Sequence, residues 1–305
     1  MQKVSLVILN YKGKENTLAC LDSLKDNFLP ESIKLDIIVV DNASKDNLFV
    51  ALKTKYPNVV FIENKNNLGF AEGNNVGIKY ATEHGTDFVL ILNNDTIVDK
   101  NLIRELLEVA ETNEKIGIVV PKIYFAHGFE FHKDRYSKKD LGRVFWYAGG
   151  EMDWKNVIGF HRGVDEVDRG QYDRIEKTDF ASGCCMLVKR EVFEKVGFFD
   201  EKFFLYYEDS DLCERIRRAG YSMMYSPKAI LWHKNAGSAG GSGSKLQDYY
   251  ITRNRLLFGI RYAPFRSKLA LMREGIELIF RGREWQRQGV LDFYLARFGR
   301  GSFKI

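Results

Sequence analysis

Val4-Ser5-Leu6-Val7-Ile8-Leu9-Asn10-Tyr11 decides how the rest of the chain is read. Residues 4–9 form a short apolar run rich in branched side chains, which predicts a buried strand. The run stops at Asn10-Tyr11. A similar pattern follows over residues 35–40, closed by Asp41-Asn42, then over 59–63, followed by Asn64, and over 88–92, followed by Asn93-Asn94-Asp95. Between these runs lie helical stretches: 15–29 with Leu18, Leu21 and Leu24 in register, 46–55, and 70–84 ending at Gly85. The alternation βαβαβαβ predicts an α/β fold with right-handed crossovers and a mainly parallel central sheet. Ligands in such sheets bind at the carboxyl ends of the strands. The polar clusters are therefore expected to converge on one rim.

Working outward, a helix is expected over 102–112 and a strand over 116–120. Residues 124–175 show no sustained period and are expected to be loops and short strands. Order returns over 180–188, in a helix over 190–196, and in a helix over 209–219 ended by Gly220. A Gly/Ser-rich flexible loop is expected over 236–244, and two or three basic amphipathic helices complete the chain. At 305 residues, 45% hydrophobic and 29% charged, the composition is that of a soluble globular protein with ample core. No signal peptide or transmembrane run is expected. Cys20, Cys184, Cys185 and Cys213 lack metal-ligand spacing and read as four reduced thiols in a cytosolic protein. Of the net +5, residues 261–305 carry +6, which leaves −1 for the rest. That tail points to a polyanion or an anionic membrane surface.

Several groups bear chemistry, each with a plainer alternative. Glu208-Asp209-Ser210-Asp211 crowds three carboxylates behind the aromatic stretch 198–207. Such carboxylates lose hydration and must be paired, metal-bound or protonated. The dipole of a helix starting near Asp209 would account for Asp211, but less well for Glu208 and Asp209. Asp95 at a strand end suits a hard divalent cation on a diphosphate, or an Asx-turn. Asp41 suits a base or ribose, or an N-cap. His233 closes the strand-like 229–232 and could complete a metal site with Asp95, or be a packed residue. Arg253, behind the Gly/Ser loop, suits phosphate or a solvated helix face. Apolar stripes of Leu269, Leu271, Met272, Ile276, Ile279 and Phe280, and of Trp285, Leu291, Phe293, Tyr294, Leu295 and Phe298, suit a membrane interface, or packing on the body or a second subunit.

In order along the chain, residues 4–11, Asp41-Asn42-Ala43-Ser44, Asn67-Leu68-Gly69-Phe70-Ala71-Glu72-Gly73-Asn74-Asn75, Leu92-Asn93-Asn94-Asp95, Ala181-Ser182-Gly183, Glu208-Asp209-Ser210-Asp211-Leu212, His233 and Tyr250…Arg253-Asn254 resemble the family 2 glycosyltransferases of GT-A fold, in their rhamnosyltransferase-like branch. The resemblance implies a GT-A catalytic domain over 1–245, with a nucleotide-sugar half (1–121) and an acceptor half (122–245), followed by C-terminal helices over 246–305. It implies donor binding by Asn10, Tyr11, Asp41, Asn67, Gly69, Asn74, Asn94 and Arg253. It implies Mg²⁺ or Mn²⁺ at Asp95 and His233, and Asp209 as catalytic base with Glu208 and Asp211 in support. Asn93 stands where the family's Asp-x-Asp element has its first carboxylate.

The expected reaction is inverting transfer of a sugar, rhamnose or another hexose, from a dTDP- or UDP-linked donor to a glycan or lipid-linked acceptor in cell-surface polysaccharide synthesis. The expected location is cytoplasmic, peripheral on the inner face of the cell membrane, and a homodimer is a further expectation. Nucleic acid is not an expected partner. The competing readings are a sugar-1-phosphate nucleotidyltransferase and a non-catalytic nucleotide-sugar-binding protein. The first wants a Gly-rich loop after strand one, where this chain has Asn10-Tyr11-Lys12-Gly13.

Overall fold

β1 (Gln2–Asn10), α1 (Lys14–Leu24), β2 (Ile33–Asp41), α2 (Leu48–Lys55), β3 (Val60–Glu63), α3 (Gly69–Glu83) and β4 (Phe88–Asn93) realise the expected alternation. A computed structural model describes residues 1–234 and 243–304; most of the loop expected over 236–244 lies outside the described residues. β1 pairs in parallel with β2 and β4, and β2 with β3. The register Asn10↔Asp41, Leu9↔Asn93 and Asp41↔Glu63 brings the polar strand ends level on one edge. Val4, Leu6, Val7 and Ile8 of β1 and Val89, Leu90 and Ile91 of β4 are fully buried. Helices covering both faces of a parallel sheet explain why these strands read as continuous apolar runs. α3 lies close on β1, where a Cβ on Gly77 would meet Val7 at 2.5 Å.

Beyond β4 come β5 (Thr96–Val98), α4 (Leu102–Ala110), β6 (Ile116–Phe125), β7 (Phe145–Tyr147), β8 (Gly150–Asp153), β9 (Ile158–His161), β10 (Glu176–Lys177), β11 (Cys185–Lys189), α5 (Arg190–Val196), α6 (Glu208–Arg218) and β12 (Ser222–His233). The chain continues with α7 (Lys245–Tyr262), α8 (Phe265–Arg281) and α9 (Glu284–Tyr294). The large sheet runs β10-β12-β6-β11-β4-β1-β2-β3, with β5 on β12 and β7 on β6; β8 and β9 form a separate hairpin. The sheet is mixed. β6 and β12 are parallel to each other, but β11 enters antiparallel between β4 and β6. That reversal sets the amino end of β11 beside the carboxyl end of β4, at the polar edge.

β6 is twice as long as expected and is buried throughout. α7 to α9 close the molecule around a second apolar cluster that includes Val157, Phe203, Leu256, Phe258, Leu271 and Val290. The cluster ties these helices to the β8–β9 turn and to the segment preceding α6.

Candidate active site

At the ends of β1 and β2 the polar side chains bind one another. Asn10, fully buried, donates Nδ2 to Asp41 Oδ1 (2.7 Å) and to Ser44 Oγ (2.9 Å), and accepts at Oδ1 from Thr17 (2.8 Å). Asp41 also accepts from the Ser44 amide at 3.0 Å. Asn94 reaches across from β4 to Thr17 (3.0 Å) and Asn10 (3.3 Å). Asn42 holds the next loop, donating to Asn67 Oδ1 and the Gly69 carbonyl, both at 2.9 Å, and accepting from the Leu68 amide at 3.0 Å. Tyr11 lies half-buried beside this network, with Lys12 over its ring.

Asp95 follows β4, and His233 ends β12. The β5–β12 register Thr96↔His233 brings the two together, with His233 Nε2 at 3.0 Å from Asp95 Oδ1. His233 Nδ1 is buried without a hydrogen-bond partner. The edge of Trp146 packs against both His233 and His161. Burial pushes the His161 imidazole down to about 4, so it is neutral at physiological pH. Among the described residues no third His, Cys, Asp or Glu joins Asp95 and His233. One carboxylate and one imidazole fit an ion of the Mg²⁺/Mn²⁺ class, which takes its other ligands from phosphate oxygens and water.

Asp209 sits in the first turn of α6. Its Oδ2 accepts from the Gly183 amide (3.1 Å), and its Oδ1 from the Ser210 amide (2.7 Å) and hydroxyl (3.2 Å). Gly183 leads into β11 through Cys184, whose carbonyl accepts from the Asn93 amide at 2.8 Å. Asp209 thus bonds Gly183, and Asp95 lies within electrostatic reach of the next residue, Cys184. Burial raises the Asp209 carboxyl above its ordinary range, against the opposing pull of the Gly183 and Ser210 amides. Burial and the Asp209 charge raise Glu208 well above its range; its Oε2 has no hydrogen-bond partner.

Several sequence-based expectations change here. Arg253 is fully buried, so it does not reach a diphosphate. Its guanidinium donates to the main-chain carbonyls of Lys202, Phe203, Arg297 and Gly299, to Tyr249 Oη and to Asn254 Oδ1. Asp211 is also fully buried and is neutralised by Arg215 and Arg261, both at 2.8 Å, with Tyr262 donating as well. Asn74 is 1% exposed and donates to the Phe70 carbonyl of its own helix, so it does not line the rim. Gly69 is buried at φ +81°, where a Cβ would strike the Phe204 ring and carbonyl at 2.5 Å. Its role is that close approach. Within the aromatic stretch before Glu208, Phe199, Phe203 and Phe204 are core, at most 5% exposed, whereas Leu205, Tyr206 and Tyr207 are half-buried.

Two participants escaped the sequence reading. The Gly183 amide carries no side-chain signal, although Ala181-Ser182-Gly183 is one of the quoted motifs. Trp146 stood in a region without period, and only the aromatic triplet Phe145-Trp146-Tyr147 marked it. A cavity of about 820 Å³ lies at the amino end of β4 and the carboxyl end of β11, around Asp87, Lys189 and Lys195, away from this edge. The polar edge is the better candidate, because exposed chemistry in an open α/β sheet collects at carboxyl ends.

The mixed, mostly parallel sheet closed by C-terminal helices is an α/β fold of GT-A architecture. Structural similarity agrees: a mannosyltransferase from Pyrobaculum calidifontis, solved with GDP-Man and Mn²⁺, superposes with a TM-score of 0.57 at 16% identity, covering 99% of this chain and 76% of that one. The sequence model of Glycosyl transferase family 2 matches residues 5–197, and the chain belongs to that family of glycosyltransferases. A low-salt glycan biosynthesis hexosyltransferase from Haloferax volcanii is 27% identical over 258 residues, 84% of this chain and 75% of the relative. An N-acetylglucosaminyl-diphospho-decaprenol L-rhamnosyltransferase from Mycobacterium tuberculosis is 29% identical over 219 residues, 68% of each chain.

Proposed function

We propose that this glycosyltransferase moves a hexose or rhamnose, with inversion, from a dTDP- or UDP-linked donor to a hydroxyl of a lipid-linked glycan in surface polysaccharide synthesis. The carrying observation is that Asp209 bonds the Gly183 amide while Asp95, paired with His233, lies within electrostatic reach of the next residue, Cys184. Asp209 takes the proton of the attacking hydroxyl, and its raised affinity for protons suits that role. Asn10, Tyr11, Asp41, Asn67 and Asn94 form the edge that receives the nucleoside. Asp95 and His233 hold Mg²⁺ or Mn²⁺, which neutralises the leaving diphosphate when bound. The relatives act in glycan assembly, and the mycobacterial one is named for a lipid-diphosphate substrate.

The lipid carrier places the chain at the cytoplasmic membrane face. α8 exposes Phe265, Leu269, Ile276 and Phe280 on one stripe, with Arg266, Arg273 and Arg281 around it. Among the described residues no helix is long and apolar enough to cross a membrane. A second copy of the chain would set one net +6 tail against another, so anionic lipid is the better cover. Phe265→Ser with Phe280→Ser should abolish sedimentation with phosphatidylglycerol vesicles and leave the fold intact. Retained sedimentation would remove the membrane from this reading.

The reaction is tested with UDP- and dTDP-linked sugars plus Mn²⁺ and free nucleoside diphosphate as readout. Release that stops on chelation and in Asp95→Ala supports the reading. Release unaffected by both would overturn the metal assignment, and pyrophosphate as product would overturn the transferase.

A further inference from the structure

The segment from Val196 to Tyr207 delivers Glu208 and Asp209 to the edge, and its backbone is unusual. Phe204, Tyr206 and Tyr207 have φ of 63°, 68° and 71°, a left-handed conformation that bulky side chains rarely adopt. Such a backbone persists only where its surroundings over-determine it.

The carbonyls of this segment are accounted for one by one. Arg215 of α6 takes those of Val196, Gly197 and Phe198. Asn75 of α3 takes Phe199, and the amides of Phe203 and Phe204 take Asp200 and Glu201. The amides of Phe70 and Ala71, in the first turn of α3, take Phe204. Tyr207 accepts from the Asp211 amide, Lys202 from the Gly299 amide at 2.8 Å, and Phe203 from the Leu205 amide at 2.7 Å. The side chains that reach Lys202, Phe203, Leu205 and Tyr206 belong to two adjacent residues of α7. Arg253 donates to Lys202 (3.2 Å) and Phe203 (3.1 Å). Asn254 donates to Phe203 (2.7 Å), Leu205 and Tyr206 (both 2.8 Å). Arg253 Nε donates to Asn254 Oδ1 at 2.9 Å and so fixes the amide's orientation. Both side chains are fully buried.

We infer that Arg253 and Asn254 act as a paired positioning device, clamping the left-handed turn at 202–207 so that Asp209 meets the Gly183 amide and faces the acceptor. The inference rests on Asp209 being the base. It gives Arg253 a role that needs no contact with donor. Asn254 holds three of the carbonyls that keep Phe204 and Tyr206 in their conformation. Without it the turn can relax toward ordinary φ and carry Asp209 away from the hydroxyl.

The test uses full-length Asn254→Ala and Arg253→Lys beside Asp209→Asn, with steady-state kinetics, a pH profile of kcat, and UDP and dTDP binding with Mn²⁺. The expected result is a kcat lower by about a hundred-fold in both clamp variants. Donor KM and nucleotide affinity should stay within about twofold of wild type, and the acid limb of the profile should move. A placement role predicts this split, whereas a general loss of fold would lower nucleotide binding too. Weakened nucleotide affinity in Arg253→Lys with kcat preserved at saturating donor would overturn the inference in favour of a diphosphate contact. Unchanged kcat in Asn254→Ala would overturn it as well. If Arg253→Lys or Asn254→Ala fails to fold, Asn254→Ser, which keeps one donor, carries the same criteria. Full activity of Asp209→Asn would instead sink the base assignment, independently of the clamp.

Discussion

At the ends of β1 and β2, Asp41 is surrounded by neutral donors from Asn10 and Ser44. In the first turn of α6, Asp211 is enclosed by Arg215, Arg261 and Tyr262, while Asp209, two residues earlier, receives amide and hydroxyl donors. Successive helical residues turn by about 100°, so carboxylates two apart face nearly opposite sides. One points to the packed interior and meets guanidinium groups; the other points to the edge. Neutral donors orient a carboxylate and leave its charge available, whereas paired cations cancel it. Three acids that look equivalent on one helical turn thus differ in chemistry because of what the neighbouring elements bring to each.

The largest expected effect separates Asp209 from Asp211. Asp209→Asn should lower transfer by about a hundred- to ten-thousand-fold, with melting temperature and nucleotide binding near wild type, as turnover and calorimetry can check. Asp211→Asn should do the opposite. It leaves two guanidinium groups without their buried partner, and denaturant unfolding should show a loss of about 3 kcal/mol. Comparable activity losses in both variants would erase the distinction.

A smaller effect concerns Glu208. Its carboxyl binds protons more tightly folded than unfolded, so the charged form opposes folding. That opposition is absent below the unfolded carboxyl's range, about pH 4.3, and grows as pH rises through the folded value. Glu208→Gln should therefore stabilise the protein at neutral pH by about 1 kcal/mol, and the gain should vanish near pH 4 in a melting series. The smallest effect is a shift in pH profile. Ionised Asp209 is the active form, so kcat should rise with pH along a limb lying above the ordinary aspartate range. Ser210→Ala removes a donor that favours ionisation and should move that limb slightly higher.

Much of this was legible in the chain. β1, β2 and β4 announce themselves as branched apolar runs ending in Asn or Asp, and the pairing of Asp95 with His233 follows from two residues at strand ends. The stretch over 180–188 was legible as ordered, but the direction of β11 was not, since Cys185-Met186-Leu187-Val188 reads the same either way. The second half of β6 was hidden by Pro121, which reads as a break yet sits within a paired strand. Arg253 misled for a different reason: a guanidinium fork suits phosphate and main-chain carbonyls equally, and only burial distinguishes them. The aromatic stretch misled similarly, because Phe199 and Phe203 serve a core as readily as a sugar cleft.

The contact of Arg253 with the carbonyls of Arg297 and Gly299 has a practical corollary for engineering. A chimera that exchanged everything after residue 245 for another transferase's tail would also remove the residues steadying the turn before Glu208. Grafts meant to redirect acceptor choice should therefore retain α7 and the strand-free end around 297–302, and vary only the outward side of α8.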